Sequence, residues 1–375
     1  MARRWRRVGA TLLVLAALAT AATAWVLTLP TFGGKLEGDR LARARANPQF
    51  HDGQFVNPLP PAPYTAGYLW AMFKGQFFGD ERREPTHAIP VMRVPPAALQ
   101  APPAASGLRT FWIGHASVFI EVDGLRLLVD PIFSDYASPF DVGPQRLHSP
   151  PIALADLPAI DAVLFTHDHY DHLDMRTVQQ LAARGAAFVV PLGIGAHLQR
   201  WGVPAAQVHE LEWWQEHTLR GVRLVSTPSR HYSGRGLTDQ NATLWSSWSV
   251  IGPQHRFYVS GDTGYSDHFQ QIGERFGPFD LAFIKIGAYG PGAPWLDIHM
   301  APEDAVRALG ELRAKRLFPV HWATFNLAFH DWDEPIRRTL AAAHAANADV
   351  LTPRPGEIVD ADQPFVSSAW WEAVR

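Results

Sequence analysis

Beyond Leu108 the chain is written in short apolar runs, each closed by Gly, Pro, His or Asp. "RTFWIGHASVFIEV", "LRLLVDP", "DAVLFTH", "AAFVVP", "VRLVSTP", "SSWSVIG", "RFYVSGD" and "LAFIKIG" are rich in β-branched and aromatic residues and predict strands. Helical periodicity lies between some of them, over Met175–Arg184 and Pro302–Ala314. The second follows "MAPED", which puts proline and acids into a first helical turn. Paired strands first, then strands alternating with helices, predict an α/β fold of sheets covered by helices over residues 106–375.

Before Leu108 the pattern dissolves. Residues 31–105 carry the proline clusters "NPLPPAPY" and "VPPAALQAPPAA" and predict a linker and wrapping segment. Inside it "YLWAMFKGQFF" (68–78) gathers Tyr68, Trp70, Phe73, Phe77 and Phe78 around Lys74. One reading rests these rings in a lipid headgroup zone. The other, preferred because it is commoner on globular surfaces, packs the stretch on the main body as an amphipathic helix. Residues 1–30 begin with arginines and carry no charge from Val8 to Leu29. Roughly 20 apolar residues cross a bilayer, and a basic flank stays cytoplasmic. The expectation is an inner-membrane anchor with the remaining chain outside the cytoplasm. A cleaved or twin-arginine export signal, giving a periplasmic form, is the alternative.

Composition narrows the chemistry. A hydrophobic fraction of 47% suits a packed body. With no cysteine at all, disulfides, Cys-ligated zinc, iron–sulfur clusters and thiol nucleophiles are excluded. A net charge of −3, with no Lys/Arg run past residue 7, argues against a nucleic-acid partner.

"LFTHDHYDHLD" (164–174) follows directly on an apolar run. Its His167, His169, Asp171 and His172 have the spacing H-x-H-x-D-H at a strand end. Alternate residues of an extended segment point the same way, so His167 and His169 can grip one ion. Asp171 and His172, past the turn, can face a second. Three later strand ends offer further ligands: His231 in "STPSRHYSG", Asp262 between glycines in "FYVSGDTGY", and His321 in "LFPVHWATF". A carboxylate presented by the sharp turn at Asp262 can bridge two metals. Imidazole and carboxylate without thiolate suit zinc, with iron or manganese compatible. Asp130 in "LLVDP" and, more weakly, His115 in "IGHAS" are read as acceptors that orient a metal-bound imidazole; a plain turn role beside Pro131 serves Asp130 as well. Trp213, Trp214, Trp245 and Trp248 are either core or the wall of an acyl channel.

This order of ligands resembles the metallo-β-lactamase superfamily. The longer blocks "WIGHASVFIEVDGLRLLVDPIFSDYASPF", "LPAIDAVLFTHDHYDHLD", "ELEWWQEH", "LWSSWSVIGPQHRFYVSGDTGY", "IGERFGPFDLAFIKIGAYGP" and "VHWATFNLA" resemble the N-acylphosphatidylethanolamine-hydrolysing phospholipases D within it. The resemblance implies an αββα fold and two zinc ions. One zinc would sit on His167, His169 and His231, the other on Asp171, His172 and His321, with Asp262 bridging. It also implies hydrolysis of a phospholipid at a membrane surface, by a hydroxide shared between the ions, to N-acylethanolamine and phosphatidic acid. Asp171, Asp262 and His299 (in "LDIHMAPEDA") are the implied catalytic residues, and Tyr170 and His299 the implied substrate contacts. Whether Ile298 and Lys285 match the resemblance is open at this point, and a departure at either would bear on head-group or acyl preference and not on the metals. A lactonase on the same fold is the alternative enzyme, and a zinc-buffering protein the alternative outside catalysis.

Overall fold

The structure is a computed structural model describing residues 2–375, without the side chains of residues 2–4 and 6–9. The apolar runs become two seven-stranded sheets. The first is ordered Val359–Asp360, Leu108–Gly114, Ser117–Val122, Leu125–Val129, Ala162–Leu164, Ala187–Pro191, Val208–Leu211. The second is ordered Asp349–Val350, Arg316–Val320, Leu281–Lys285, Arg256–Val259, Ser247–Ile251, Val222–Thr227, Glu216–Leu219. Each begins as an antiparallel meander and continues in parallel through helical crossovers. That change of pairing is what the sequence shows as strands alone, then strands with helices between them.

Strands such as Leu125–Val129 are buried along their whole length, which explains why they read as unbroken apolar runs and not as alternation. Val118, Ile120, Leu127 and Leu164 of the first sheet share one core with Leu224, Val250, Phe283 and Phe318 of the second. Flanking helices cover the outer faces. Met175–Ala183 starts at Asp174, whose side chain accepts from the Arg176 amide, and Pro302–Glu311 starts with Pro302, Glu303 and Asp304. Both are shorter at the C-terminal end than the periodicity predicted. The tail returns as Val359–Asp360 beside Leu108–Gly114, and Trp370 and Trp371 bury against Trp322.

Helix α1 spans Ala2–Val26 and helix α2 Gly38–Ala46. The expected span Val8–Leu29 starts outside the described side chains, as does the arginine flank. Among the described residues no helix is long and apolar enough to cross a membrane. Residues 31–105 are laid closely over the body. Phe55 is fully buried against Leu192, Trp213, Leu244 and Trp245. Helix α3, Ala66–Phe78, is capped by Thr65 and buries none of its residues. Leu69, Trp70, Phe77 and Phe78 are each more than half exposed, while Tyr68, Ala71, Met72 and Gly75 form a half-buried stripe that lies beside Phe329 and Gly292 of the body. The rings of Trp70, Phe73, Phe77 and Phe78 gather against one another on the outward face, opposite the half-buried stripe.

Candidate metal centre

Both sheets end their central strands at one crevice, and every candidate ligand emerges there. Three of these residues have left-handed backbones that disfavour a β-carbon: His115 (φ 52°), Asp130 (φ 41°) and His321 (φ 65°). Strain of this kind persists only where the surroundings enforce it. Here the His321 amide donates to the His115 carbonyl at 2.9 Å, and the His115 amide donates to Thr324 Oγ1 at 2.6 Å. Gly261 (φ 55°) precedes Asp262, and a β-carbon there would press on the Thr166 side chain.

The seven expected ligands converge. The ligand atoms of His167, His169 and His231 lie within 4.8 Å of one another. Those of Asp171, His172 and His321 form a second group, which His115 joins through a 2.9 Å contact of its Nε2 with Asp171 Oδ2. Asp262 stands between the groups: its Oδ2 lies 3.1 Å from His321 Nε2, 3.3 Å from His172 Nε2, 3.9 Å from His231 Nε2 and 4.0 Å from His167 Nε2. This is the position the sequence reading assigned to a bridging carboxylate.

The donor set fits divalent cations. His172 Nε2, His321 Nε2 and Asp262 Oδ1 are buried without a hydrogen-bond partner, although buried polar atoms are seldom left so. Burial, then the neighbouring imidazoles, pushes His115 and His231 down to about 3, leaving neutral rings with a free lone pair. Burial disfavours ionisation of Asp171 and Asp262 as well, yet the surrounding histidines hold both carboxyls well below the usual range. His172 goes the other way. Burial would lower it, but Asp262, Asp171 and Asp130 together raise it well above an ordinary histidine. A cluster that draws a proton onto one imidazole is a cluster that attracts positive charge. His/Asp centres of this kind take divalent metal ions.

Asp130 holds a candidate ligand. It is fully buried, accepts from Thr166 N at 2.8 Å and Thr166 Oγ1 at 2.7 Å, and contacts His172 Nδ1 at 2.8 Å. Its carboxylate fixes the His172 proton on Nδ1 and turns Nε2 toward the cluster.

A cavity of about 790 Å³ opens on the centre, lined by His169, Asp171, His231, Asp262, His299 and His321 on one side and by Val56, Leu59, Tyr64, Tyr68, Met72 and Leu327 on the other. His299 Nδ1 lies 3.7 Å from Asp262 Oδ2 and has no hydrogen-bond partner, which puts it close enough to rank as a ligand candidate itself. Tyr170 also lines the cavity, with its hydroxyl donating to the Arg235 carbonyl at 2.8 Å. The four tryptophans do not line it. Trp245 and Trp248 are core, their indoles donating to the carbonyls of Ser229 and Phe165, and Trp213 and Trp214 face a separate pocket.

Several contributors went unread in the sequence. Tyr232 stacks edge-on against His169, with burial raising its phenol to about 12. Adjacency to His231 was its one signal. Lys285, noted in the sequence only against the resemblance, is fully buried with an unpartnered Nζ, and burial lowers it to about 7. The segment over the cavity is tied by Asn57 Nδ2 to the His231 carbonyl (2.7 Å), by the Ala62 amide to Asp297 (2.6 Å) and by Arg230 to the Pro60 carbonyl (3.2 Å). No local pattern in a proline-rich stretch announces such ties.

Comparison with known proteins agrees with this architecture. Residues 125–322 match the beta-lactamase superfamily domain. An uncharacterized protein of Mycobacterium tuberculosis is 45% identical over 341 residues, 88% of this chain and 89% of its own. The N-acyl-phosphatidylethanolamine-hydrolyzing phospholipase D 1 of Caenorhabditis elegans is 39% identical over 233 residues, 59% of this chain and 65% of its own. Among solved structures, a metallo hydrolase from Ignicoccus hospitalis superposes with a TM-score of 0.53 at 24% identity, over 70% of this chain and 100% of its own. With its ligands at the ends of two facing sheets, the chain belongs to the beta-lactamase superfamily and is a metal-dependent hydrolase of the metallo-β-lactamase fold.

Proposed function

We propose that this protein is a phosphodiesterase of phospholipase D type, which uses two zinc ions to cleave N-acylphosphatidylethanolamine-like lipids into N-acylethanolamine and phosphatidic acid. The observation that carries the reading is the cavity: one wall is the His/Asp centre, the other is apolar and built from the segment that leads into α3. A phosphodiester between long chains needs both surfaces at once. The relative in Caenorhabditis elegans, which is named for that activity, supports it.

His167, His169 and His231 would hold one ion, and Asp171, His172 and His321 the other, with Asp262 between. When bound, such ions supply a nucleophile from water at neutral pH and offset the charge gathering on an attacked phosphorus. The chain's own groups do the rest. His299 Nδ1, without an internal partner, is free to hydrogen-bond a phosphoryl or leaving oxygen. Tyr232, kept protonated by burial, can donate to the same group. Leu59, Tyr64, Tyr68 and Met72 exclude water from the lipid side and orient the chains.

We further propose that the protein works at a membrane, held by α1 and touched by the exposed rings of α3, with the catalytic body outside the cytoplasm. Tryptophan and phenylalanine on an exposed helix suit the headgroup zone.

The test is lipid mass spectrometry on the purified, zinc-loaded protein incubated with vesicles carrying N-acylphosphatidylethanolamine. N-acylethanolamine and phosphatidic acid should appear together, stop with chelator and return with zinc. Turnover of an acyl-lactone with the phospholipid untouched would overturn the reading.

A further inference from the structure

The chain leaving α1 does not swing free. Thr28 to Gly34 are fixed by side chains of the body: Arg200 donates to the Thr28 carbonyl at 2.6 Å, and the Trp201 indole donates to the Pro30 carbonyl at 2.6 Å. Two further links pass through this segment to the metal-binding turn.

The first runs through Arg235. Its Nε and Nη2 donate to the Thr31 carbonyl at 3.2 and 3.0 Å, while its Nη1 donates to the carbonyls of Asp168 (2.6 Å) and Leu173 (2.9 Å). The guanidinium is buried and lies over the rings of Tyr170 and Trp201, 4.0 and 5.0 Å from their centroids. One planar group therefore spans the turn that carries His169, Asp171 and His172 and pins it to residue 31. Only a guanidinium has donors enough, in a fixed plane, to do this.

The second runs through His197. The Gly34 amide donates to its Nδ1 at 3.0 Å. Nδ1 is thus the acceptor, the ring proton sits on Nε2, and Nε2 donates to Asp168 Oδ2 at 3.2 Å. Asp168 lies between the ligands His167 and His169, and its other contacts, from Thr243 Oγ1 (2.9 Å) and the Gly234 amide (2.8 Å), leave no slack. Gly33, at φ 81°, brings the chain so near that a β-carbon would overlap the His197 ring.

We propose that residues 28–34 are a clamp on the metal site: through Arg235 and His197, acting as positioning residues, they hold the turn 167–173 in its ligand-ready shape, so that metal affinity depends on the docking of the chain that leaves α1. The inference rests on the metal centre and not on the lipid reading, so each can fail alone. Coupling of this kind is reciprocal. If the docked segment favours metal, bound metal favours the docked segment by the same factor.

The test uses the full-length protein, with zinc affinity read by chelator competition and ligand geometry by the visible spectrum of the cobalt-substituted form. Arg235→Met and His197→Phe should each weaken zinc binding by about tenfold or more, the range known for partners that orient ligands, and alter the cobalt spectrum. Gly33→Val, which wedges the segment away, should do the same, and combining it with Arg235→Met should cost less than the two separate losses summed, because both release the docked segment. Variants that melt earlier but bind zinc with unchanged affinity and spectrum would make the clamp merely structural and overturn the proposal. Should the variants not fold, hydrogen exchange on the unaltered protein decides: zinc should slow the amides of residues 28–34 together with those of 167–173. Protection confined to 167–173 would overturn it.

Discussion

Asp130→Asn isolates the part of the centre that touches no metal. The carboxylate receives three hydrogen bonds within 2.8 Å, two from Thr166 and one from His172 Nδ1, at a site with no exposure. Asparagine keeps the shape and can keep the Thr166 amide on its oxygen. Its NH₂ then faces the Thr166 hydroxyl and the His172 Nδ1–H, a donor against donors. The hydroxyl can rotate. The imidazole relieves the clash only by moving its proton to Nε2, the atom that must face the metal. A histidine protonated there is no ligand, so one ion is left with Asp171, His321 and Asp262. Removing such a partner typically costs about 10–100-fold in affinity, or roughly 1.4–2.7 kcal/mol.

Chelator competition measures this directly, and turnover of bis(p-nitrophenyl) phosphate against free zinc gives a second reading. The variant should lose activity at limiting zinc and recover part of it at high zinc. Ser117→Ala serves as the control, since it removes a buried hydrogen bond to the Asp130 carbonyl (2.6 Å) without touching the carboxylate or the donor pattern at His172. Wild-type zinc affinity in Asp130→Asn would refute the tautomer argument. An equal loss in Ser117→Ala would show that packing, not proton placement, is at stake.

Other outcomes follow from the same geometry. Asp262→Ala should cost at least one of two metal ions per chain by elemental analysis, since Asp262 lies between both ligand groups; two ions retained would remove it from the bridge. His299→Ala should keep both ions and lower turnover by about 10²–10⁴-fold, whereas loss of metal would make His299 a ligand. Replacing Trp70 and Phe73 with serine should lower activity on vesicle-bound lipid and leave a short-chain soluble phosphodiester unaffected; an equal fall on both would place these rings in the catalytic fold. His255 is held on either side by Asp123 (2.8 Å) and Asp362 (3.0 Å); burial alone would lower it, but these carboxylates raise it above the ordinary histidine value. A raised folded-state pKa contributes stability that is complete below the unfolded value near 6.5 and lost as pH rises through the folded one. Denaturant midpoints should therefore fall above neutral pH, and His255→Asn should flatten that slope; an unchanged slope would refute the assignment.

How much of this could be read in the chain follows from how far each signal reaches. The strands were legible because both faces of each are buried, which forces a run of apolar residues whatever the neighbours are. The ligands were legible because metal chemistry restricts the residue type, and each sits where an apolar run stops. Asp130 was read for the same reason, although only the fold could show which imidazole it turns. Lys285 was singled out only against the resemblance, because its burial depends on packing from strands far away in sequence. Residues 28–34 and 57–62 had no such signal. Apart from the side chains of Thr31 and Asn57, they bind through main-chain carbonyls and amides, which every residue carries, so these bonds leave no trace in residue identity except at their far ends, in Arg235, His197, Arg230 and Asp297. A charged residue whose partners are backbone atoms reads in sequence as an ordinary surface residue. Helix α3 shows the converse: its rings are conspicuous in the sequence, yet composition alone could not say whether protein or lipid receives them, because both are apolar. What separates the two is the direction of the rings, and Trp70, Phe77 and Phe78 turn outward beside the cavity mouth formed by Tyr64, Tyr68 and Met72, as the proposed membrane contact requires.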